Sequence, residues 1–423
     1  MECTRSELDY SAPKFEQNEI ESDYFIYLTP KNTIIEGSPI LFEIQENSDF
    51  LDLSQTTLTV KIQLVEGDNS EILPTSLVCP VNNTLHSLFS QLTISLKDSV
   101  ISQPNNLYPY RAYIENLLNY SKAVKDSWLR AEGWSTDQVN RFDNPNNSAL
   151  TIRREPLLRG GIQELSGRLH GDIFFQSRLI PSNLDVKIVL TPTDPKFSVM
   201  YFGTGTKSFK LKIIDAALSV RKVKLTQAKN LAFERQIAAA PINLPLNYVH
   251  MKTSVLAQGI ASHNHNSLYS GVLPNRIILA FLDNESFTGK FNKNPFNLKH
   301  YNLSLINLSV NGKSIPSQPI EPDFASGHVL GAYNSLFSTL GVRFDNWENG
   351  LTVDDYIHGS TLFGFNLTSH DCSSGNSHRT GSVDLNIRFS DALTSTVSII
   401  FYAEYSNNII IDRFRNVITD ISN

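Results

Sequence analysis

Apolar and polar residues alternate along much of the chain. Leu58, Val60, Ile62 and Leu64 fall on one side of an extended segment, with Thr59, Lys61 and Gln63 on the other. That is the pattern of a half-buried antiparallel strand. Similar runs predict strands at 39–44, 92–96, 165–175, 184–190, 209–213, 218–223, 276–282, 303–310, 383–389 and 396–405. Helical spacing is rarer. From about residue 107, Leu107, Tyr110, Ile114, Leu117 and Leu118 share one face, Asn105 or Asn106 can cap, and Pro109 suits the first turn. A second helix is expected over about 325–340, with Asp323 near its cap and Val329, Tyr333, Leu336, Phe337 and Leu340 on one face. A short helix fits 227–239. Many strands with few helices predict an all-β fold, a pair of sandwiches or barrels.

The strand pattern repeats. Residues 184–190 (LDVKIVL) answer to 383–389 (VDLNIRF) at an offset of 199, and 92–98 answer to 306–312 at an offset of 214. A Tyr-containing helical segment and a polar loop follow each member of the earlier pair. Two β-units of about half the chain each explain that order. The break is expected where Pro192-Thr193-Asp194-Pro195 and Gly203-Thr204-Gly205-Thr206 interrupt any regular element. The expected division is an N-terminal arm over 1–24, a first unit over 25–203 and a second over 204–423. Two long excursions, 121–163 and 263–301, interrupt the strands. They carry Trp128, Trp134, Phe287, Phe291 and Phe296, aromatics without a strand period to bury them. Aromatic side chains are favoured at interface cores, so these five are the candidate subunit-contact residues.

Composition narrows the function. The 423 residues are 41% hydrophobic and 18% charged, below the usual ~25%, with a net charge of −6. A polar surface low in charge fits faces covered by partners, and the acidic balance argues against sequence-specific nucleic-acid binding. The densest basic stretch, Arg221-Lys222-Val223-Lys224, reads as a solvated strand face. Cys3, Cys79 and Cys372 are far apart and odd in number, so no disulfide framework is expected. The first residues lack the basic start and apolar core of a signal peptide, and no apolar run approaches a membrane span. Synthesis without secretion is expected, and sequons such as Asn302-Leu303-Ser304 would stay unmodified.

Four constellations bear on chemistry. His263-Asn264-His265 puts two imidazoles on one side of an extended segment, where a metal could bridge them, but no third ligand lies at a compelling spacing, so a loop contact is expected. His370-Asp371-Cys372 with His378 sits in a Ser/Gly/Asn-rich loop, a poor setting for nucleophilic catalysis. Gly203-Thr204-Gly205-Thr206 lacks the remaining features of a nucleotide-binding loop. Asp354 and Asp355, read as neighbours on a strand, would point to opposite faces. The sequence therefore predicts no catalytic residues, no cofactor and no metal.

Several stretches resemble the major capsid proteins of the Polinton/Maverick (adintovirus) elements. They are Thr288 to Leu303 (TGKFNKNPFNLKHYNL), running into Val310 to Ser317 (VNGKSIPS), together with Leu107 to Leu118 (LYPYRAYIENLL) and Gly167 to Gln176 (GRLHGDIFFQ). The resemblance runs from roughly residue 80 to 370, and 293–303 is its most specific part. It implies a double jelly roll: two eight-stranded barrels side by side, three subunits forming a pseudo-hexagonal capsomer of an icosahedral shell around double-stranded DNA. It also implies a separate penton or minor capsid protein at the vertices and residence in the virion. The segment Asn292 to His300 is then a loop bracing the barrel or the trimer contact, or a plain surface loop. The rival reading is a carbohydrate-binding β-sandwich module. That reading needs exposed aromatic platforms, whereas most Tyr and Phe fall on core-facing positions.

Overall fold

A computed structural model describes residues 19–45, 48–205, 207–344, 347–368 and 379–419. Ten strands make the first barrel: β1 (Ile20–Leu28), β2 (Ile40–Ile44), β3 (Phe50–Glu66), β4 (Val78–Pro80), β5 (Phe89–Leu96), β6 (Ser99–Val100), β7 (Ile162–Arg168), β8 (Val186–Pro192), β9 (Val199–Tyr201) and β10 (Phe209–Leu225). Their sheets run β1-β10-β3-β7 and β2-β8-β5-β6, with β4 and β9 as a small extra pair. The second barrel contains β11 (Ile242–Leu256), β12 (Ser262–Val272), β13 (Arg276–Asp283), β14 (Leu303–Val310), β15 (Lys313–Ile320), β16 (Leu362–Asn366), β17 (Thr380–Phe389), β18 (Val397–Ile411) and β19 (Val417–Thr419). Its sheets run β11-β18-β13-β16 and β12-β17-β14-β15, with β19 on β18.

The two barrels have the same wiring. Order for order, β1-β10-β3-β7 corresponds to β11-β18-β13-β16, and β2-β8-β5-β6 to β12-β17-β14-β15. Both repeats found in the sequence join equivalent strands: β8 with β17, and β5 with β14. Each barrel also places a helix between its last two hairpin-connected elements, Tyr108–Asn119 after β6 and Leu330–Leu340 after β15. The architecture is the expected double jelly roll. Inward alternation fills two cores: β3 buries Leu58, Val60, Ile62 and Leu64 in one, and β17 buries Val383, Leu385, Ile387 and Phe389 in the other.

Several boundaries differ from expectation. The unit break lies beyond 203/204, because β10 pairs with both β1 and β3 and so closes the first barrel. The Gln227–Ala239 helix then leads to β11. The arm expected over 1–24 is shortened, since Ile20–Leu28 is an edge strand whose polar residues face solvent; residues 1–18 lie outside the described residues. The strand expected over 165–175 ends at Arg168 and gives way to a 3-10 turn at Asp172–Phe175. The second helix starts at Leu330 rather than 325. Asp323 instead exchanges two backbone hydrogen bonds with His328 and accepts from the Ser326 N–H. The supposed excursion 263–301 contains β12 and β13, leaving only 284–302 as a connection.

Candidate functional site: the seam between the barrels

The Tyr108–Asn119 helix belongs by connectivity to the first barrel and by packing to both. Pro109 sits in its first turn, and the Asn105 side chain accepts from the Leu107 N–H at 3.3 Å. Tyr110, Tyr113, Ile114, Leu117 and Leu118 all enter the core of the second barrel. There Tyr113 stacks on Phe296 (4.2 Å between centroids) and on Trp134 (5.3 Å), while Tyr110 stacks on Phe287 (5.5 Å) and meets Phe197 edge-on. In return, Leu244, Ile409, Ile411 and Val417 of the second half pack into the first core. Each barrel thus lends apolar side chains to the other.

This corrects the contact-residue expectation. Trp134 and Phe296 are fully buried inside one chain, and Phe287 is half-buried against the same cluster. Trp134 and Phe296 therefore present no surface to another subunit. Phe291 is half-buried against the first core. Trp128 alone of the five stays substantially open, at 47% exposure. The sequence misled because an irregular segment has no period, yet a helix from elsewhere in the chain can still cover it.

The segment that carries the most specific resemblance is part of this seam. The Asn294 amide N–H donates to Asp143 Oδ1 at 2.6 Å, the Asn297 side chain donates to Asp143 Oδ2 at 2.8 Å, and Asn294 Nδ2 reaches Asp137 Oδ2 at 3.4 Å. Asp137 is fixed in turn by Arg153 (2.8 Å) and Asn147 (2.9 Å), all buried. The 284–302 connection of the second barrel therefore clasps the 121–161 excursion of the first. Of the readings left open, bracing within the chain is the one seen. An open groove of about 650 Å³ lies over this clasp, lined among others by Asn140, Asp143, Lys299, His300 and Asp391.

Beside the aromatic stack runs a buried polar network. Arg111 donates to Glu115 Oε1 (2.9 Å) and Asp172 Oδ1 (2.7 Å). Asp172 also accepts from the Val249 N–H on β11 (3.0 Å), and Glu115 from the Tyr402 hydroxyl on β18 (3.3 Å). His170 Nδ1 lies 2.6 Å from Glu115 Oε2. His86 Nδ1 lies 2.8 Å from the Tyr108 hydroxyl, and its Nε2 lies 3.2 Å from Glu132 Oε2. Burial alone would raise Glu115, but Arg111 and then His170 hold its carboxyl at about 2. Burial likewise works to raise Glu132, but His86, His170 and Asn116 together bring its carboxyl below the ordinary range. Burial pushes His86 below the ordinary histidine range. Breaking one partner of such a network strands a buried charge, at a cost of ~3–5 kcal/mol. The network therefore fixes the relative placement of the barrels.

The constellations weighed from sequence fall elsewhere. His263 and His265 do share one face, on strand β12 rather than in a loop, with ring centroids 6.0 Å apart. Asp354 and Asp355 lie on the short Val353–Ile357 helix, not on a strand. There Asp355 completes a capping box with Thr352, and Asp354 lies 3.6 Å from His358. The basic stretch at 221–224 is neutralised across the sheet, Arg221 by Asp23 and Asp52 and Lys224 by Glu21. The 370–378 loop, with His370, Asp371, Cys372 and His378, lies outside the described residues. Sequence reasoning missed His86, Glu115, Glu132 and His170, which come from separate segments. Glu115 and His170 stood inside stretches that carried the resemblance, which was the only signal for them.

No family model matches the chain. An uncharacterized protein of Caenorhabditis elegans is 24% identical over 415 residues, covering 95% of this chain and 98% of its own. Among solved structures, a chain of the Sputnik virophage is similar over 99% of this chain and 92% of its own, with a TM-score of 0.65 at 12% identity. The mavirus major capsid protein covers 99% of this chain and 95% of its own (TM-score 0.55, 12% identity). The Faustovirus major capsid protein covers 92% and 90% (TM-score 0.57, 8% identity). At these identities the likeness is one of fold: the class is the double jelly roll, from end to end. Among the described residues no helix is long and apolar enough to cross a membrane.

Proposed function

We propose that this chain is the major capsid subunit of an icosahedral shell around a double-stranded DNA genome, of the Polinton/Maverick kind, and that three copies form a pseudo-hexagonal capsomer. The observation that carries the reading is the seam. Two equivalent barrels are locked side by side by a shared aromatic stack and a buried ionic network, as a subunit needs if it is to present two of six near-equivalent lobes. A closed trimer would then bury sheet edges that a monomer leaves open. β1 is such an edge, with Tyr24, Phe25 and Tyr27 exposed along it. Trp128 remains a contact candidate and gains company. Lys125 donates to both Leu117 O and Asn349 O, tying the loop that carries Trp128 to the one that carries exposed Trp347.

The function is structural rather than enzymatic, and the product is a virion component. Trimers that fill hexagonal positions leave the five-fold vertices to a different chain, a penton or minor capsid protein. Electron microscopy of the purified protein tests the assignment: hexagonal outlines with three-fold symmetry support it. Two-lobed monomers that bind immobilised glycans would favour the carbohydrate-binding rival.

A further inference from the structure

One ring nitrogen each from His86 and His170 and one carboxylate oxygen of Glu132 lie within 4.8 Å of one another, all buried. The exposures are 0%, 2% and 1%, so this is a closed interior site. We infer that His86, Glu132 and His170 hold a divalent transition-metal ion, zinc by preference, that staples the first barrel to the seam.

The donor set suits the ion. Two imidazoles and one carboxylate are a recurrent zinc triad, and bonds of about 2.0–2.1 Å in a tetrahedron put neighbouring ligand atoms roughly 3.3 Å apart. His86 Nε2 and Glu132 Oε2 already stand 3.2 Å apart. Metal-bound histidines give their second ring nitrogen to an oxygen partner that fixes the tautomer. An oxygen partner stands ready for each, the Tyr108 hydroxyl 2.8 Å from His86 Nδ1 and the Glu115 carboxylate, which Arg111 anchors, 2.6 Å from His170 Nδ1. With the proton on Nδ1 of each ring, Nε2 turns to the ion, which would take the place of the His86 Nε2 to Glu132 hydrogen bond.

A closed structural site needs a fourth ligand, and the nearest neutral side chain to Glu132 that carries a ligand oxygen is Asn116. Asn116 is fully buried; its Nδ2 donates to Glu132 Oε2 and to Asn83 Oδ1, both at 3.1 Å, while its Oδ1 has no hydrogen-bond partner. Half a turn of the amide would exchange the Nδ2 bonds to Glu132 and Asn83 for an Oδ1 that an ion at the site could bind. Charge points the same way. The hydrogen-bonded set contains Glu115, Glu132 and Asp172 but only Arg111 as a permanent cation, an interior excess of two negative charges. One divalent ion cancels it. Sequence spacing concealed the set because its members come from three separate segments.

The test uses the full-length protein. It is purified without chelator and counted for metals by mass spectrometry, then refolded from denaturant with Co²⁺ or with EDTA, since a closed site fills during folding. We expect about one zinc per chain, visible d–d bands of tetrahedral cobalt after refolding, and a lower unfolding temperature with EDTA. Glu132→Gln, which keeps the shape, should cut occupancy by about 10-fold or more, while His265→Ala on β12 should not change it. If Glu132→Gln fails to fold, the wild-type metal count and cobalt spectrum decide. Soluble wild-type protein with negligible metal, no cobalt bands and no effect of EDTA would overturn the site. These readouts do not depend on assembly, so they stand or fall apart from the capsid assignment.

Discussion

Tyr113 and Phe296 lie face to face, ring centroids 4.2 Å apart and planes within 9°, although 183 residues separate them in the chain. One comes from the helix that leaves the first barrel, the other from the connection between β13 and β14 of the second. Their contact, flanked by Trp134 and Phe197, makes the barrels one body. Phe296→Ala leaves a cavity where no solvent can enter and should cost about 3–5 kcal/mol. Chemical denaturation followed by fluorescence would read this as a lower midpoint. A wild-type midpoint would mean that the stack does not hold the barrels together.

Acid should loosen the subunit through two half-buried histidines. Burial, and secondarily Lys252, lowers His250 to about 4; burial, and secondarily His358, lowers His300 to about 4. His250 faces Tyr248, Tyr269 and Tyr405, and His300 stacks on Phe324 at 4.0 Å. In the unfolded chain both take up protons below about 6.5, so the unfolded state binds more protons in that window. Their contribution is present above about pH 6.5 and is lost as pH falls toward about 4. Unfolding temperature measured across that range should decline, and His300→Gln should flatten the decline. An unfolding temperature constant over the window would remove both histidines from the account.

Cys79 should be chemically silent while the protein is folded. Burial pushes its thiol up to about 12, and a thiol that remains protonated is a poor nucleophile. With Cys3 and Cys372 changed to serine, a thiol-reactive dye should label Cys79 only after denaturation. Rapid labelling of native protein would contradict the buried placement. The same burial implies non-covalent assembly as far as Cys79 is concerned, checked by electrophoresis without reductant.

Ile387 tests the second barrel. It is fully buried on β17, paired with His263 of β12 on one side and Ile306 of β14 on the other. Ile387→Pro removes a ladder donor in a central strand as well as core packing, and should abolish soluble protein. Ile387→Val should fold normally, with a loss of about 0.5–1.5 kcal/mol. Soluble Ile387→Pro protein with wild-type circular dichroism would refute the strand.

The strands that alternate cleanly, such as β3, β5, β14 and β17, were legible in the sequence because each has one wet and one dry face. The repeat between β8 and β17 was legible for the same reason. β1 was not, since this edge strand is mostly exposed and only Ile26 and Leu28 of its apolar residues pack against the first core, too short a run to stand out. The end of the first barrel was missed because the Pro/Gly-rich stretch before β10 is a connection inside a barrel, not between barrels. Trp134 and Phe296 were misplaced because what buries them comes from elsewhere in the chain. His86, Glu132 and His170 were invisible together for the same reason: only folding brings them side by side.

The most direct test of the central claim is the native mass of the purified protein at micromolar concentration, by light scattering coupled to size exclusion. A capsid subunit should run as a stable species of three times the 47.4 kDa chain mass, holding together through an interface above the roughly 2,000 Å² where obligate interfaces begin. A monodisperse species at the mass of a single chain would contradict the capsomer.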